Sequence, residues 1–217
     1  MIGLLGGTFD PVHCGHLDVA RAARVRLPLE KVLLIPSRTP PHRHAPRAGA
    51  ADRLAMVRAA IANEPGLEAS TIELDAAGPS YTSATLDRFA AAGVDTHTLC
   101  FIAGADAFAE IPTWHQYPEL LDRCHFAVVS RPGLPAERLR TQLPRLASRM
   151  ISVNENQAYT TPSQASIFLI DASTAPVSST DVRARIARGA SVEGLVPDAV
   201  AAYIDAHRLY QPEAHGH

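Results

Sequence analysis

The chain has few cysteines, few aromatics and no surplus of either charge. Its three cysteines, Cys14, Cys100 and Cys124, are an odd number with no CxxC pair. Neither a disulfide framework nor a zinc ribbon is therefore expected, and the composition fits a reduced, cytoplasmic protein. Twenty Lys and Arg against 22 Asp and Glu give a formal charge of −2. That balance argues against a chain built to coat nucleic acid or an anionic membrane. No apolar stretch approaches the ~20 residues that span a bilayer. The opening MIGLLGGTFD lacks the basic segment of a secretory signal and meets Asp10 early. The GxGxxG fingerprint of redox dinucleotide binding and the P-loop are both missing, and no CxxC or four-ligand His/Cys set at usual spacing suggests a metal centre.

What is present is ample apolar material. Of 217 residues, 47% are hydrophobic and 19% charged, enough to bury a sizeable core and too little polarity for disorder. Short apolar runs at 2–5, 32–35, 99–103, 126–129 and 167–170 end in Gly, Pro, Ser or Asp. Continuous runs of this kind suit strands buried on both faces. Between them lie helix-patterned segments at 17–26, 53–63, 83–92, 135–148, 181–188 and 197–207. In the second of these, Leu54, Val57, Ala60 and Ile61 form one apolar stripe. Strand and helix in alternation predict an α/β fold, a doubly wound, Rossmann-like parallel sheet flanked by helices. One domain over 1–217 is expected, with a C-terminal helical segment at about 178–210 packed on it and a frayed tail at 211–217. The polar, patternless segment 152–166 reads as a loop.

In such sheets ligands bind beyond the carboxyl ends of the strands. The first strand runs into Gly6-Gly7-Thr8-Phe9-Asp10-Pro11-Val12-His13-Cys14-Gly15-His16, with a helix beginning near Leu17. Two glycines after a strand let the backbone approach a ligand. His16 falls at the helix start, where free N–H groups and the helix dipole favour an anion. Gly15 carries no Cβ, so a phosphate can reach the main chain. Two imidazoles beside an exposed helix start make a phosphate cradle, although a histidine before a helix is by itself more often a cap. Near the other end, Ser178-Ser179-Thr180-Asp181-Val182-Arg183 follows the last strand. Ser178 with Asp181 fits a capping box. Hydroxyls and free N–H groups there suit phosphate oxygens, and Arg183 adds a two-pronged donor.

GGTFDPVHCGHL resembles the signature of the HxGH nucleotidyltransferases, and among them is most similar to the bacterial nicotinate-mononucleotide adenylyltransferases. VSSTDVR, at 177–183, is similar to their second signature, ISSTxxR. The likeness extends from Gly6 to Tyr210. It implies ATP held by Gly6, Gly7, Thr8, Phe9, His13, His16, Gly104, Asp106, Ser178, Ser179, Thr180 and Arg183, with His13, His16 and Arg183 catalytic. Asp106 would meet the ribose hydroxyls. The 36–43 segment, PSRTPPHR, resembles the family's acceptor loop, so His42 and Arg43 would meet the 5′-phosphate of nicotinate mononucleotide; Ser37 stands where many relatives carry Asn. Gly78-Pro79-Ser80-Tyr81-Thr82 is similar to the PSYT element, whose Thr reads the pyridine carboxylate, while Ser80 also suits a helix cap. Trp114 would stack on the nicotinate ring and the backbone of His115, where relatives often carry Tyr, would hold the carboxylate. Arg131-Pro132-Gly133 also matches the family, for phosphate or structural duty.

The implied reaction is adenylyl transfer from ATP to nicotinate mononucleotide, giving nicotinate adenine dinucleotide and pyrophosphate in NAD biosynthesis. It needs no general base, because a monophosphate is mostly dianionic at pH 7. Mg²⁺ is expected as cofactor, carried mainly by ATP, with no dedicated protein ligands. The alternatives are a sister enzyme acting on nicotinamide mononucleotide or phosphopantetheine, and a non-catalytic nucleotide sensor. The sensor would be favoured by loss of an HxGH histidine or of the ISSTxxR arginine, and both are present.

Overall fold

In the structure, a computed structural model, residues 1–39, 45–154, 159 and 162–212 are described. Among the described residues, seven strands form one sheet: β1 (Ile2–Gly7), β2 (Lys31–Pro36), β3 (Leu67–Ala69), β4 (Leu99–Gly104), β5 (His125–Val129), β6 (Met150–Val153) and β7 (Ile167–Ile170). Their order is β3-β2-β1-β4-β5-β7-β6, with every neighbouring pair parallel. The five apolar runs are the five inner strands. All of β5 and β7 is buried, as expected of strands covered on both faces.

The helices divide between those faces. Leu5 and Val32 look toward α1 (Cys14–Arg26), α2 (Ala50–Ile61), α6 (Ser179–Ala187) and α7 (Asp198–Ala206), sharing a core with Leu17, Val57, Val182 and Ile204. Leu4 and Phe126 look the other way, toward α3 (Thr82–Ala91), α4 (Ala105–Ala109) and α5 (Leu139–Gln142), with Leu86, Phe108 and Leu139. The sheet is therefore doubly wound. Strand order reverses between β1 and β4, so the loops after those strands diverge and leave a crevice at their carboxyl ends.

Four details differ from the sequence reading. The expected helix at 135–148 is broken into a 3₁₀ turn (Ala136–Arg138), the one-turn α5 and a second 3₁₀ stretch (Pro144–Arg149). Pro144 cannot donate to the helix and drives the preceding Leu143 out of helical geometry, to φ −123° and ψ 62°. The supposed loop 152–166 begins inside β6; β6 and three-residue β3 are the two opposite edge strands, each too short for a periodic signal. Helix α1 starts at Cys14, which puts His16 inside its first turn. Ser80 does not cap α3; Tyr81 occupies that place, and the Ser80 hydroxyl instead accepts from the Arg38 N–H at 2.9 Å.

Candidate active site

The loop after β1 is folded around two rings. Phe9, 1% exposed, has a left-handed backbone (φ 50°) that a bulky residue adopts at a cost of about 1 kcal/mol or more. The strain is offset by packing. Its ring lies under Gly7, where an added Cβ would come within 3.0 Å, and meets the His16 ring edge-on at 5.0 Å. The His13 N–H donates to His16 Nδ1 at 3.2 Å, and the two imidazoles stack 3.6 Å apart. Since His16 Nδ1 accepts, Nε2 is the ring's donor.

His13 is almost wholly buried, and its Nδ1 has no hydrogen-bond partner among the described residues. Burial, reinforced by the positive charge of Arg131 and opposed by Asp181, lowers its pKa to about 3. The ring is therefore a neutral hydrogen-bonding group at physiological pH. Around Gly15 three polar atoms converge on the space a Cβ would fill: Ala175 O at 3.1 Å, Arg131 Nη1 at 3.1 Å and His13 Nδ1 at 3.3 Å. Arg131 also reaches the Val177 carbonyl and stands 3.8 Å from Asp106. Sequence reading left its duty open. Its position makes it a cation of this site.

The lowered pKa has a consequence for stability. The unfolded histidine binds a proton below about pH 6.5 while the folded one refuses it down to about pH 3, so stability is complete above pH 6.5 and falls as pH drops through that window. From pH 7 to pH 5 the His13 contribution should fall by about 2 kcal/mol. Urea unfolding of the native chain and of His13→Asn at both pH values measures it as the difference between their pH slopes. Equal slopes would remove the buried neutral imidazole from the account.

The second signature folds onto the first. Ser178 caps α6, accepting from the Asp181 N–H at 3.1 Å, and its hydroxyl donates to the Asp181 carboxylate at 2.6 Å. The Ser179 hydroxyl donates to the Pro11 carbonyl at 2.9 Å. Arg183 Nη1 donates to the Asp10 carbonyl at 2.6 Å, and Nη2 to the Thr180 hydroxyl at 3.2 Å. Two segments about 170 residues apart in sequence are thereby joined by direct hydrogen bonds.

Sequence reasoning missed what holds this junction. The Asp10 carboxylate, buried, accepts from the Arg47 and Ala48 N–H groups at 2.9 and 3.0 Å and from the Tyr210 hydroxyl at 2.9 Å. It faces Arg183 Nη1 at 3.7 Å. Arg53, 2% exposed, donates through one nitrogen to the carbonyls of Thr8 (2.8 Å) and Ser37 (2.7 Å), so a single guanidinium ties the loop after β1 to the loop after β2. Arg53 precedes the apolar stripe of α2, and a charged residue on a helix normally faces solvent. No sequence periodicity signals it.

On the other side of the crevice, the Ser37 N–H donates to Gly7 O at 2.8 Å and the Ser80 N–H to Thr39 O at 3.0 Å. The GPSYT element is thus tied to the acceptor loop. Thr82 opens α3; Tyr81 stacks on His115 at 4.5 Å, and His115 Nδ1 lies 2.9 Å from the Ser83 hydroxyl. Trp114 packs edge-on against Phe101 of β4 at 5.7 Å. The start of α3 and the Trp114–His115 segment are therefore adjacent. Asp106, at the end of β4 after Gly104, keeps 63% of its side chain exposed. His42 and Arg43 lie outside the described residues. Beyond Arg131, a cleft of about 540 Å³ opens between the ends of β5 and β7, lined by Ser130, Asp171, Thr174 and Pro176.

A Pseudomonas fluorescens protein named probable nicotinate-nucleotide adenylyltransferase is 44% identical to the chain over 210 residues, which are 97% of either sequence. The chain belongs to the nicotinate-nucleotide adenylyltransferase family. A Roseiflexus relative of the same name is 41% identical over 211 residues, 97% of this chain and 98% of its own. The cytidylyltransferase-like family model matches residues 4–185, a span that includes both signatures. Among solved structures, a Plasmodium falciparum nicotinic acid mononucleotide adenylyltransferase complexed with NaAD superposes with a TM-score of 0.70. It shares 16% identity, and 96% of each chain is covered. The same enzyme complexed with APC gives 0.69. At that identity the likeness is one of fold.

Proposed function

We propose that the chain transfers the adenylyl group of ATP to nicotinate mononucleotide, producing nicotinate adenine dinucleotide and pyrophosphate for NAD synthesis. The observation that carries this reading is the junction of the two phosphate-suited helix starts, α1 and α6, through the Ser179–Pro11 and Arg183–Asp10 hydrogen bonds. The names of the 41–44% identical relatives support it, as does the dinucleotide bound by the solved neighbour.

The chemistry follows from the donor set. An oxygen of the acceptor's dianionic phosphate attacks the α-phosphorus of ATP in line. The bond from that phosphorus to the bridging oxygen breaks, and its electron pair leaves with pyrophosphate. No proton must be removed, so the site needs positioning and charge stabilisation. His16 offers Nε2–H and His13 a neutral ring with an unpaired Nδ1, both beside the α1 N-terminus. Ser179, Thr180 and Arg183 crowd the α6 N-terminus. Arg131 stands between the Gly15 cradle and the 540 Å³ cleft, which suits the nucleoside end of ATP. Thr82, Trp114 and His115 form the opposite wall for the pyridine ring, where an N–H at the start of α3 suits its carboxylate.

Mg²⁺ belongs to the reading as the ion that neutralises the departing phosphates. Among the described residues no group of three or more His, Cys, Asp or Glu is arranged to hold a metal. The donors present are of the kind that bind phosphate, so an ion would be held by ATP's own phosphates and would supply charge neutralisation there.

Pyrophosphate release with Mg-ATP tests the proposal, comparing nicotinate mononucleotide, nicotinamide mononucleotide and phosphopantetheine as acceptors. Nicotinate mononucleotide should give the highest kcat/KM. A preference for either other acceptor would reassign the wall formed by Thr82 and Trp114, and no release with any of the three would overturn the enzyme reading.

A further inference from the structure

Tyr210 lies 200 residues from its hydrogen-bond partner, in a part of the chain to which no function has yet been given. After α7 the backbone turns inward through two left-handed residues, Arg208 (φ 50°) and Tyr210 (φ 64°). Such a path is unfavourable for non-glycine residues and persists only when surrounding contacts hold it. Here the contact is internal: Tyr210 is 9% exposed, packs into the core beside α7, and donates its hydroxyl to Asp10 Oδ1 at 2.9 Å.

The carboxylate it meets stands next to Arg183. Asp10 Oδ1 receives Tyr210 and the Ala48 N–H, and Oδ2 receives the Arg47 N–H. Held by these three donors, the carboxylate stays 3.7 Å from Arg183 Nη1, outside hydrogen-bond range, while that nitrogen is given instead to the Asp10 carbonyl at 2.6 Å. A buried carboxylate short of donors turns toward the nearest cation. Removal of the Tyr210 hydroxyl would therefore let Asp10 rotate onto Arg183 and compete with a triphosphate for the guanidinium. Burial and the Asp10 charge push the phenol pKa well up, so the hydroxyl remains a donor throughout any practical assay range.

We infer that Tyr210 is a positioning residue: by saturating Asp10 it keeps Arg183 available to the triphosphate. This rests on the adenylyl-transfer reading for the role of Arg183. The test is Tyr210→Phe, which keeps the buried ring and removes only the hydroxyl, made in the native chain and in an Arg183→Gln background. Turnover, Mg-ATP affinity by calorimetry and melting temperature are measured for each. In the native background kcat should fall and the ATP Kd rise by about tenfold, the scale of one hydrogen bond to a charged group. In the Arg183→Gln background the same change should alter each by less than about twofold, because the effect passes through the positive charge at position 183. A purely structural tyrosine would lower the melting temperature and leave kcat and ATP affinity within twofold, or cost the same in both backgrounds; either result overturns the inference. A native chain that binds Mg-ATP but fails to use nicotinate mononucleotide would overturn the acceptor assignment alone, and the ATP-affinity comparison would still decide the role of Tyr210.

Discussion

His16→Ala should lower turnover by two to three orders of magnitude while shifting the melting temperature by only a few degrees. The activity loss is large because Nε2–H is a fixed donor. Nδ1 is occupied by the His13 N–H, and the ring is clamped between the His13 face and the Phe9 edge. A preorganised donor of this kind is worth about 10²–10³ in rate when it meets charge that grows in the transition state. The stability loss is small because His16 is only half-buried and the hydrogen bond it accepts from the His13 N–H is worth about 1 kcal/mol. Single-turnover pyrophosphate release reads the first effect and thermal unfolding the second. Turnover within tenfold of the native chain would remove His16 from the chemistry, and a collapse in stability would make it a structural residue instead.

Asp10→Ala should do the reverse in emphasis, destabilising the chain by about 3–5 kcal/mol, as when one partner of a buried ion pair is removed. For a chain of this size that corresponds to a fall in melting temperature of about 10 °C. One carboxylate satisfies two backbone N–H groups, the Tyr210 hydroxyl and the charge of Arg183. Alanine leaves the two backbone N–H groups and the Tyr210 hydroxyl with no carboxylate to accept from them, and takes the neutralising charge away from Arg183, which keeps its bonds to the residue-10 carbonyl and Thr180. Asp10→Asn retains one acceptor and should recover part of the loss, although its amide N–H₂ must then face other donors. Urea unfolding of the three proteins measures the ranking native, Asn, Ala. A loss under 1 kcal/mol in the alanine variant would mean that water replaces the carboxylate and that the junction is held elsewhere.

The two substitutions mark how far a sequence reader could see. His16 was legible because its neighbours announce it: paired glycines, a second histidine three residues earlier, and a helix start are all local signals. Ser178 to Arg183 was legible for the same reason, and its capped helix appears where the spacing put it. Asp10 sits in the same signature, yet nothing in Phe9-Asp10-Pro11 says that its partners are residues 47, 48, 183 and 210. Arg53 carries no local signal for burial, because burying its guanidinium requires two carbonyls, Thr8 and Ser37, that only the closed fold supplies. Pro144 had a local cause that was available in the sequence; the apolar spacing around it outweighed a breaker that the structure obeys.

The sequence by itself determined the inner strands, the doubly wound class and the two anion-suited helix starts. Each is written in short-range patterns: apolar runs, glycine pairs and a serine cap, whose energies act over a few residues. Tertiary structure alone decided that the two helix starts meet, that one aspartate and one arginine fasten the loops beneath them, and that Tyr210 reaches back to the beginning of the chain. Those contacts join residues up to 200 positions apart. Their strength comes from excluding water around paired polar groups, which does not exist until the sheet has closed and the helices cover it.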